Sequence, residues 1–193
     1  MDKKPLFLII FFSLLLEGCI GMAVSGAQAV YNRNYLQNSF NDHYLDMQIN
    51  QAIFWPTKAY QSSHIAINTF NSDVLLTGQV PTYDLKAQLT QITKKIVGVA
   101  EVYNFTQVSP PISPLLHASD AWISSKIEAK LILNNDINPD KIKVVTENGV
   151  VYLMGMVFNE QAEIAIELAR RTIGVRRVIS LFAKINITKT RVL

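Results

Sequence analysis

Cysteine is almost absent from the sequence, since Cys19 is the only one among 193 residues. An intramolecular disulfide, or a metal centre built on several cysteines, requires at least two, so the sequence excludes both. Charge of one sign is not in large excess either, because the formal net charge is +3 and 17% of the residues are charged. Proteins that bind nucleic acids usually carry a dense basic face, so we expect no nucleic-acid partner.

Residues that carry catalysis are scarce as well. The three histidines, His43, His64 and His117, lie in three different sequence contexts. None of them has a carboxylate or a second histidine nearby at the spacing of metal ligands. Gly78 and Gly155 are isolated within apolar segments and do not form a glycine-rich phosphate-binding loop. We therefore predict that the protein is not an enzyme and that it has no catalytic residues, metal ion or cofactor.

The apolar run at residues 5–16 is too short to cross a bilayer, which needs roughly 20 apolar residues. It follows Lys3 and Lys4, and this order of basic and apolar residues predicts a secretory signal peptide over residues 1–18. Residues 20–41 come next; they are mostly polar or small and have no sustained apolar period. We interpret residues 19–41 as a tether that begins at Cys19.

The residues around Cys19 resemble the bacterial lipobox, in which the cysteine becomes the diacylated first residue of the mature protein. Leu16, Gly18 and Cys19 match this pattern, whereas Glu17 stands where a small or uncharged residue is usual. The resemblance implies lipidation of Cys19. Because Ile20 rather than aspartate follows, analogy with lipoprotein sorting favours the outer membrane. The alternative is a plain secretory signal in which Cys19 is incidental.

The rest of the chain repeats itself. Residues 42–53 align with 120–131 at an offset of 78, and residues 71–80 align with 148–157 at an offset of 77. Order and spacing are maintained over about 65 residues, as expected for a duplicated module. We predict a first domain at 42–108, a proline-rich linker at 109–119, a second domain at 120–188 and a basic tail at 189–193.

Each repeat shows the same local signals, in the order α-β-β-α-β. Asp42 and Asp120 are predicted to cap a first helix, and Thr82 and Asn159 to cap a second helix. Two strands follow the first helix. A third follows the second helix, and it is predicted at residues 100–108 in the first repeat and 177–187 in the second. The first helices carry an apolar stripe, formed by Leu45, Ile49 and Ile53 in one repeat and by Ile123, Ile127 and Leu131 in the other. The apolar face of the second helices is predicted to be Leu85, Leu89, Ile92 and Ile96 in one repeat and Ala162, Ile166, Ala169 and Ile173 in the other.

Glycine and asparagine mark the turns of this pattern. Asn148-Gly149 is a strong signal for a tight hairpin, because both turn positions favour positive φ. Asn71-Ser72 is the weaker counterpart in the first repeat. Gly98 and Gly174 suit the left-handed residue that ends a helix. We predict an α+β fold of two tandem domains, each a three-stranded mixed sheet covered by two helices, and small enough that the domains support each other.

This pattern resembles the BON domain, a family with the same α-β-β-α-β order, a glycine near the end of the second strand and a helix-ending Gly-Val. The matching residues are Gly78 with Gly98-Val99 in the first repeat, and Gly155 with Gly174-Val175 in the second. The resemblance covers residues 42–108 and 119–188. It implies phospholipid binding without catalysis. For lipidated members with two BON domains it further implies a role in outer-membrane integrity, on the periplasmic side, with anionic lipid such as phosphatidylglycerol contacted by the first helix of the second domain.

The helical wheel of that helix has a second flank about 140° from its core stripe, at about 100° per residue. This flank contains Trp122, Lys126, Ala129 and Leu133. A tryptophan beside a lysine suits a bilayer interface, where the indole lies at the headgroups and the ammonium meets phosphate. Tyr44 is the matching residue of the first repeat, but Gln48 replaces the lysine. The alternative is that Trp122 packs against the other repeat or the tether.

A second function is compatible with the same fold. Small sheets expose strand edges that can accept a strand from a partner, so the protein could be an adaptor or chaperone-like factor in outer-membrane protein assembly. The sequence does not choose between lipid and protein as the partner, because both would use exposed surface of the same domains.

Overall fold

The computed structural model describes residues 26–56 and 58–184, with the side chains of 40–56 and 58–183. The predicted signal peptide, Cys19 and the tail at 189–193 lie outside the described residues. No helix within the described part of the chain is both long and apolar enough to cross a membrane.

Domain 1 contains helix α1 (Gly26–Phe54), strands β1 (His64–Phe70) and β2 (Asp73–Val80), helix α2 (Tyr83–Lys94) and strands β3 (Val102–Asn104) and β4 (Gln107–Val108). Strands β1 and β2 form an antiparallel hairpin, and both β3 and β4 pair with β2 in parallel. The final strand was predicted to be continuous over 100–108, and this is wrong. Asn104 Oδ1 accepts hydrogen bonds from the backbone N–H and the hydroxyl of Thr106, and this local turn interrupts the ladder.

Domain 2 contains helix α3 (Pro114–Ile132), a short 3-10 turn (Pro139–Lys141), strands β5 (Ile142–Glu147) and β6 (Val150–Val157), helix α4 (Asn159–Arg170) and strand β7 (Arg177–Lys184). Strands β5 and β6 are antiparallel, and β7 runs parallel to β6. The predicted order and the mixed three-stranded sheet are therefore confirmed.

The first helices begin earlier than predicted. Helix α1 starts at Gly26 instead of Asp42, so residues 26–41, interpreted as part of the tether, are helical. Helix α3 starts at Pro114 instead of Asp120, after Ser113 as N-cap, so the end of the predicted linker is helical too. Proline at the first helical position loses no hydrogen bond and has a suitable φ, which explains this start.

The prediction that Asp42 and Asp120 cap the first helices is consequently wrong. Each aspartate lies inside its helix and binds the hairpin turn of its own domain. The two oxygens of Asp42 accept the backbone N–H groups of Asn71 and Ser72 at 2.7 and 2.8 Å. Those of Asp120 accept the N–H groups of Asn148 and Gly149 at 2.6 and 2.8 Å. Both residues of each turn have positive φ, 50° and 70° in domain 1 and 49° and 69° in domain 2, as the predicted tight hairpins require.

The second helices agree more closely with prediction. The side chain of Thr82 accepts the backbone N–H of Leu85 and caps α2, as predicted. Helix α4 begins at Asn159, so its N-cap is Phe158, and the predicted cap was wrong by one residue. The amide of Gln161 compensates, because its Oε1 accepts the backbone N–H of Phe158 at 3.4 Å.

Each domain has its own core between the helices and one face of the sheet. The predicted stripes are buried: Leu45, Ile49 and Ile53 in α1, and Ile123, Ile127 and Leu131 in α3. They pack against alternate residues of the central strands, such as Leu76 of β2 and Leu153 of β6. The hydrophobic period of both helices therefore predicted the correct face.

A third apolar cluster joins the opposite faces of the two sheets. Its buried members are Leu75, Val150, Tyr152 and Met154, and it includes the partly buried Phe105. The rings of Phe105 and Tyr152, one from each domain, have centroids 5.1 Å apart. Two hydrogen bonds cross this boundary, from Gln79 to Glu147 and from Lys143 to the carbonyl of Thr69. The two central strands are consequently buried on both faces, and the face of β2 toward domain 2 includes the polar Gln79.

Candidate functional surface

The predicted flank of helix α3 lies on the surface. Trp122 is 66% exposed and Leu133 is 82% exposed. Ala129 is exposed, and Lys126 is half-buried. Most of Trp122 faces solvent, so it does not pack into the other repeat; the alternative of packing against the tether falls largely outside the described side chains. The exposed residues of this flank are apolar, and a group of exposed apolar residues, unlike a single one, is typical of a contact surface.

Lys126 joins this flank to the end of helix α4. Its ammonium nitrogen donates to the carbonyl of Ile173 at 2.8 Å and lies 5.9 Å from the centre of the Trp122 ring. Lys130 makes a parallel contact, donating to the hydroxyl of Thr172 at 2.7 Å. Cations at the C-terminal end of a helix are stabilised by its dipole. A lysine ammonium has three donors, so the bond to Ile173 leaves Lys126 two for an anionic partner.

Ile173 is an exposed apolar residue that sequence reasoning assigned to the core. It was predicted as the last member of the apolar face of α4, yet it is 86% exposed. Helix α4 ends at Arg170, so the helical period no longer applies at 173. Gly174, at φ +100°, brings this turn so close to α3 that an added Cβ would lie 2.9 Å from Cδ1 of Ile123. The flank therefore extends to Ile173 through Lys126.

The same position in domain 1 has a different character. Tyr44 is 58% exposed and Val97, the residue before Gly98, is 92% exposed. Gln48 replaces the lysine, so this surface has aromatic and apolar groups without the cation at its centre. The two domains share a framework but present chemically different flanks.

Two of the four arginines near the end of α4 make contacts within domain 2. Arg171 forms an ion pair with Glu167 at 2.6 Å, and the guanidinium of Arg176 donates through Nε to the carbonyl of Asn148 at 2.9 Å. Arg170 and Arg177 are exposed. The positive charge on this side of domain 2 therefore comes from a few scattered cations and does not form a dense patch.

Two of the three histidines meet, although the sequence separated them. His64 and His117 have ring centroids 4.1 Å apart, and potential ligand atoms of both lie within 4.8 Å of a carboxylate oxygen of Glu147. None of these residues has another at the spacing of metal ligands in the sequence, and it is the fold that brings the three together. No local spacing could reveal the cluster, because its members come from β1, α3 and β5.

Comparison with known families and relatives agrees with this architecture. The model of the family described as "BON domain" matches residues 41–110 and 119–184. The chain is 30% identical over 183 residues to the outer membrane lipoprotein DolP of Haemophilus influenzae, and the aligned region covers 93% of this chain and 95% of that protein. It is also 30% identical over 141 residues to a 21 kDa hemolysin of Actinobacillus pleuropneumoniae, covering 73% of each chain. These matches indicate no catalytic family.

Proposed function

Because the chain belongs to the BON-domain family and is a DolP-like outer-membrane lipoprotein, lipid-anchored and facing the periplasm, we propose that it binds phospholipid without catalysis and so maintains outer-membrane integrity. The contact is made by the first helix of domain 2, through Trp122, Lys126, Ala129 and Leu133. Lipidated Cys19 provides the anchor that holds this surface close to the membrane.

The observation that carries the proposal is the exposure of Trp122 beside Lys126. An indole that is 66% exposed gains free energy at a bilayer interface, where its ring enters the headgroup region. The ammonium 5.9 Å from the ring centre is placed to meet the phosphate of an anionic lipid. Leu133 and Ile173, both more than 80% exposed at 82% and 86%, add apolar surface to the same side.

Tyr44 offers a matched control in domain 1, because it occupies the equivalent helix position and is also exposed. We would compare residues 20–193 of the wild type, Trp122→Glu and Tyr44→Glu, all lacking the anchor, for co-sedimentation with phosphatidylglycerol and phosphatidylcholine vesicles. We expect the wild type and Tyr44→Glu to bind phosphatidylglycerol and Trp122→Glu to lose most of this binding. Circular dichroism would verify that the fold is retained.

Absence of wild-type binding to phosphatidylglycerol at low salt would contradict the proposal. The protein-adaptor hypothesis would then be favoured, since within the described sheet of domain 2 strands β5 and β7 are both at the edges and could accept a strand from an assembly protein.

A further inference from the structure

Three potential metal ligands from three separate elements meet where the two domains join. His64 is the first residue of β1 in domain 1, and Glu147 is the last residue of β5 in domain 2. His117 lies in the first turn of α3, the helix that follows the linker. One ligand atom from each residue lies within 4.8 Å of the other two. We propose that His64, His117 and Glu147 bind a divalent transition-metal ion, specifically zinc, that links the two domains.

The donor set suits zinc. Two imidazole nitrogens and one carboxylate oxygen are ligands that zinc accepts with bonds of about 2.1 Å, and a water molecule completes the tetrahedron. Ligand atoms around such an ion are about 3.4 Å apart. The three ligand atoms are already within 4.8 Å of one another, so each pair would have to approach by at most about 1.4 Å to reach this spacing. Hard ions such as Mg²⁺ and Ca²⁺ prefer sites built entirely of oxygen ligands.

Glu147 is held in position by a buried amide. The carboxylate is 7% exposed and Gln79 is 1% exposed. Oε1 of Glu147 accepts from Nε2 of Gln79 at 2.7 Å, and Oε1 of Gln79 in turn accepts from the backbone N–H of Ile112 at 3.3 Å. Such outer contacts fix the orientation of a metal ligand. Because the Gln79 amide is neutral, it orients the carboxylate without contributing a charge, and a divalent cation would supply the positive charge that a carboxylate ligand attracts.

The backbone of His64 lies unusually close to Gly78, which is one residue away from its register partner across the hairpin. Gly78 has φ +101°, and an added Cβ would lie 2.1 Å from the carbonyl oxygen of His64 and 3.2 Å from Cδ2 of its ring. His64 and Gln79 are register partners in β1 and β2. The same close approach therefore places the imidazole beside the amide that orients Glu147.

Zinc at this point would connect β1 of domain 1 with α3 and β5 of domain 2. Since the ligands converge only when the sheets are packed together, binding would favour the joined arrangement over any separated one. The ion would act as a structural clamp on the domain boundary, and its ligands are different residues from those of the Trp122 surface.

The test is a zinc titration of the full chain, expressed with its own N-terminal segment and purified in mild detergent. We would measure affinity by competition with a chromophoric chelator for the wild type, His64→Gln, His117→Gln and Glu147→Gln. His43→Gln is the matched control, because His43 is exposed on α1 and outside the cluster. We expect one zinc per chain, an affinity that falls about 10-fold or more in each cluster variant, and unchanged binding in His43→Gln.

A second measurement keeps the proposal testable if a variant folds poorly. Zinc should raise the melting temperature of the wild-type chain, and EDTA should reverse this rise, whereas Mg²⁺ in the same amount should have no effect. Cobalt(II) bound in place of zinc should show the intense visible bands of four-coordinate cobalt, and these should disappear in His117→Gln. Equal zinc affinity in His117→Gln and His43→Gln, or no zinc effect on wild-type melting, would overturn the proposal.

Discussion

The carboxylate of Asp120 accepts the backbone N–H of Gly149 at 2.8 Å, joining helix α3 to the hairpin turn 29 residues later. Its other oxygen accepts the N–H of Asn148, so one buried side chain closes the turn. Asp42 makes the same pair of contacts in domain 1. The duplicated aspartates thus hold the first helix and the first two strands of each module together.

We predict that Asp120→Ala lowers the free energy of unfolding by about 2–4 kcal/mol, because two hydrogen bonds to a charged group are lost and two turn N–H groups lose their partner. Asp120→Asn should lose less, since one acceptor oxygen remains. Urea denaturation followed by circular dichroism would measure both. An effect of Asp120→Ala below that of Asp120→Asn would contradict this account of the turn.

Met154 is 1% exposed in the cluster between the two sheets. We expect Met154→Ala to reduce the free energy of unfolding by about 2–5 kcal/mol, as cavity-forming core substitutions do. The exposed Met47 of helix α1 is the matched control, and Met47→Ala should change stability by less than about 0.5 kcal/mol. Equal stabilities of the two variants would mean that the domains do not share this buried cluster in solution.

Gly155→Ala should be strongly destabilising. Gly155 has φ +155°, and an added Cβ would lie 2.2 Å from the backbone carbonyl oxygen of Lys141, which cannot rotate away. At Gly98, where φ is +98°, the nearest atom to an added Cβ is the flexible Cδ2 of Leu45 at 3.3 Å. Gly98→Ala should therefore cost about 1–2 kcal/mol, and Gly155→Ala clearly more. Thermal melts of the two variants would rank them, and the reverse order would contradict the role of close approach at Gly155.

Burial raises the pKa of the Asp46 carboxyl above its ordinary value of 3.8, while the hydroxyl of Thr69 and the charge of Lys143 partly oppose this rise. A carboxyl with a raised pKa in the folded state keeps its proton after the unfolded chain has lost it. Its contribution to stability is therefore present below pH 3.8 and is lost as the pH rises through the folded pKa.

The variant Asp46→Asn keeps an oxygen that can accept the hydrogen bond from the hydroxyl of Thr69, but its side chain cannot ionise. We expect the stability of the wild type, relative to this variant, to decrease as the pH rises from about 4 towards neutrality. Urea unfolding at a series of pH values would show the trend. A relative stability that increases over this range would mean that the attraction of Lys143 outweighs the burial of Asp46.

Lys126→Gln should weaken binding to phosphatidylglycerol vesicles by about fivefold, because a lysine close to an anionic surface contributes about 1 kcal/mol. Lys94→Gln removes the same charge from an exposed site at the end of α2 in domain 1 and should leave binding nearly unchanged. Vesicle co-sedimentation at low and moderate salt would compare them. A similar loss in both variants would indicate a general charge effect and not a site on α3.

The order of elements could be predicted from the sequence because the signals for it are local. The stripe at Ile123, Ile127 and Leu131 has helical spacing, and Asn148-Gly149 has the φ preferences of one turn type. The helix starts were misplaced because the extensions before Asp42 and Asp120 lack a clear apolar face, and an aspartate at the start of an apolar stripe is typical of an N-cap.

The candidate sites were predictable to different degrees for the same reason. Trp122 and Lys126 are one helical turn apart, so a helical wheel sufficed to place them on one flank. Ile173 joins them only because Gly174 redirects the chain after α4. His64, His117 and Glu147 meet only once the two sheets are packed together, and a single sequence contains no local pattern for such a contact.

The cluster around Leu75, Tyr152 and Met154 makes the two repeats parts of one buried interior. Together the two repeats form a four-layer sandwich, helices outside and the two sheets back to back, so the boundary between the repeats is part of its hydrophobic interior. A fragment containing one repeat would expose the apolar residues of this cluster to water, and a large exposed apolar surface promotes aggregation. Each repeat thus covers apolar surface of the other, so the duplication contributes a third buried cluster to the protein as well as a second module.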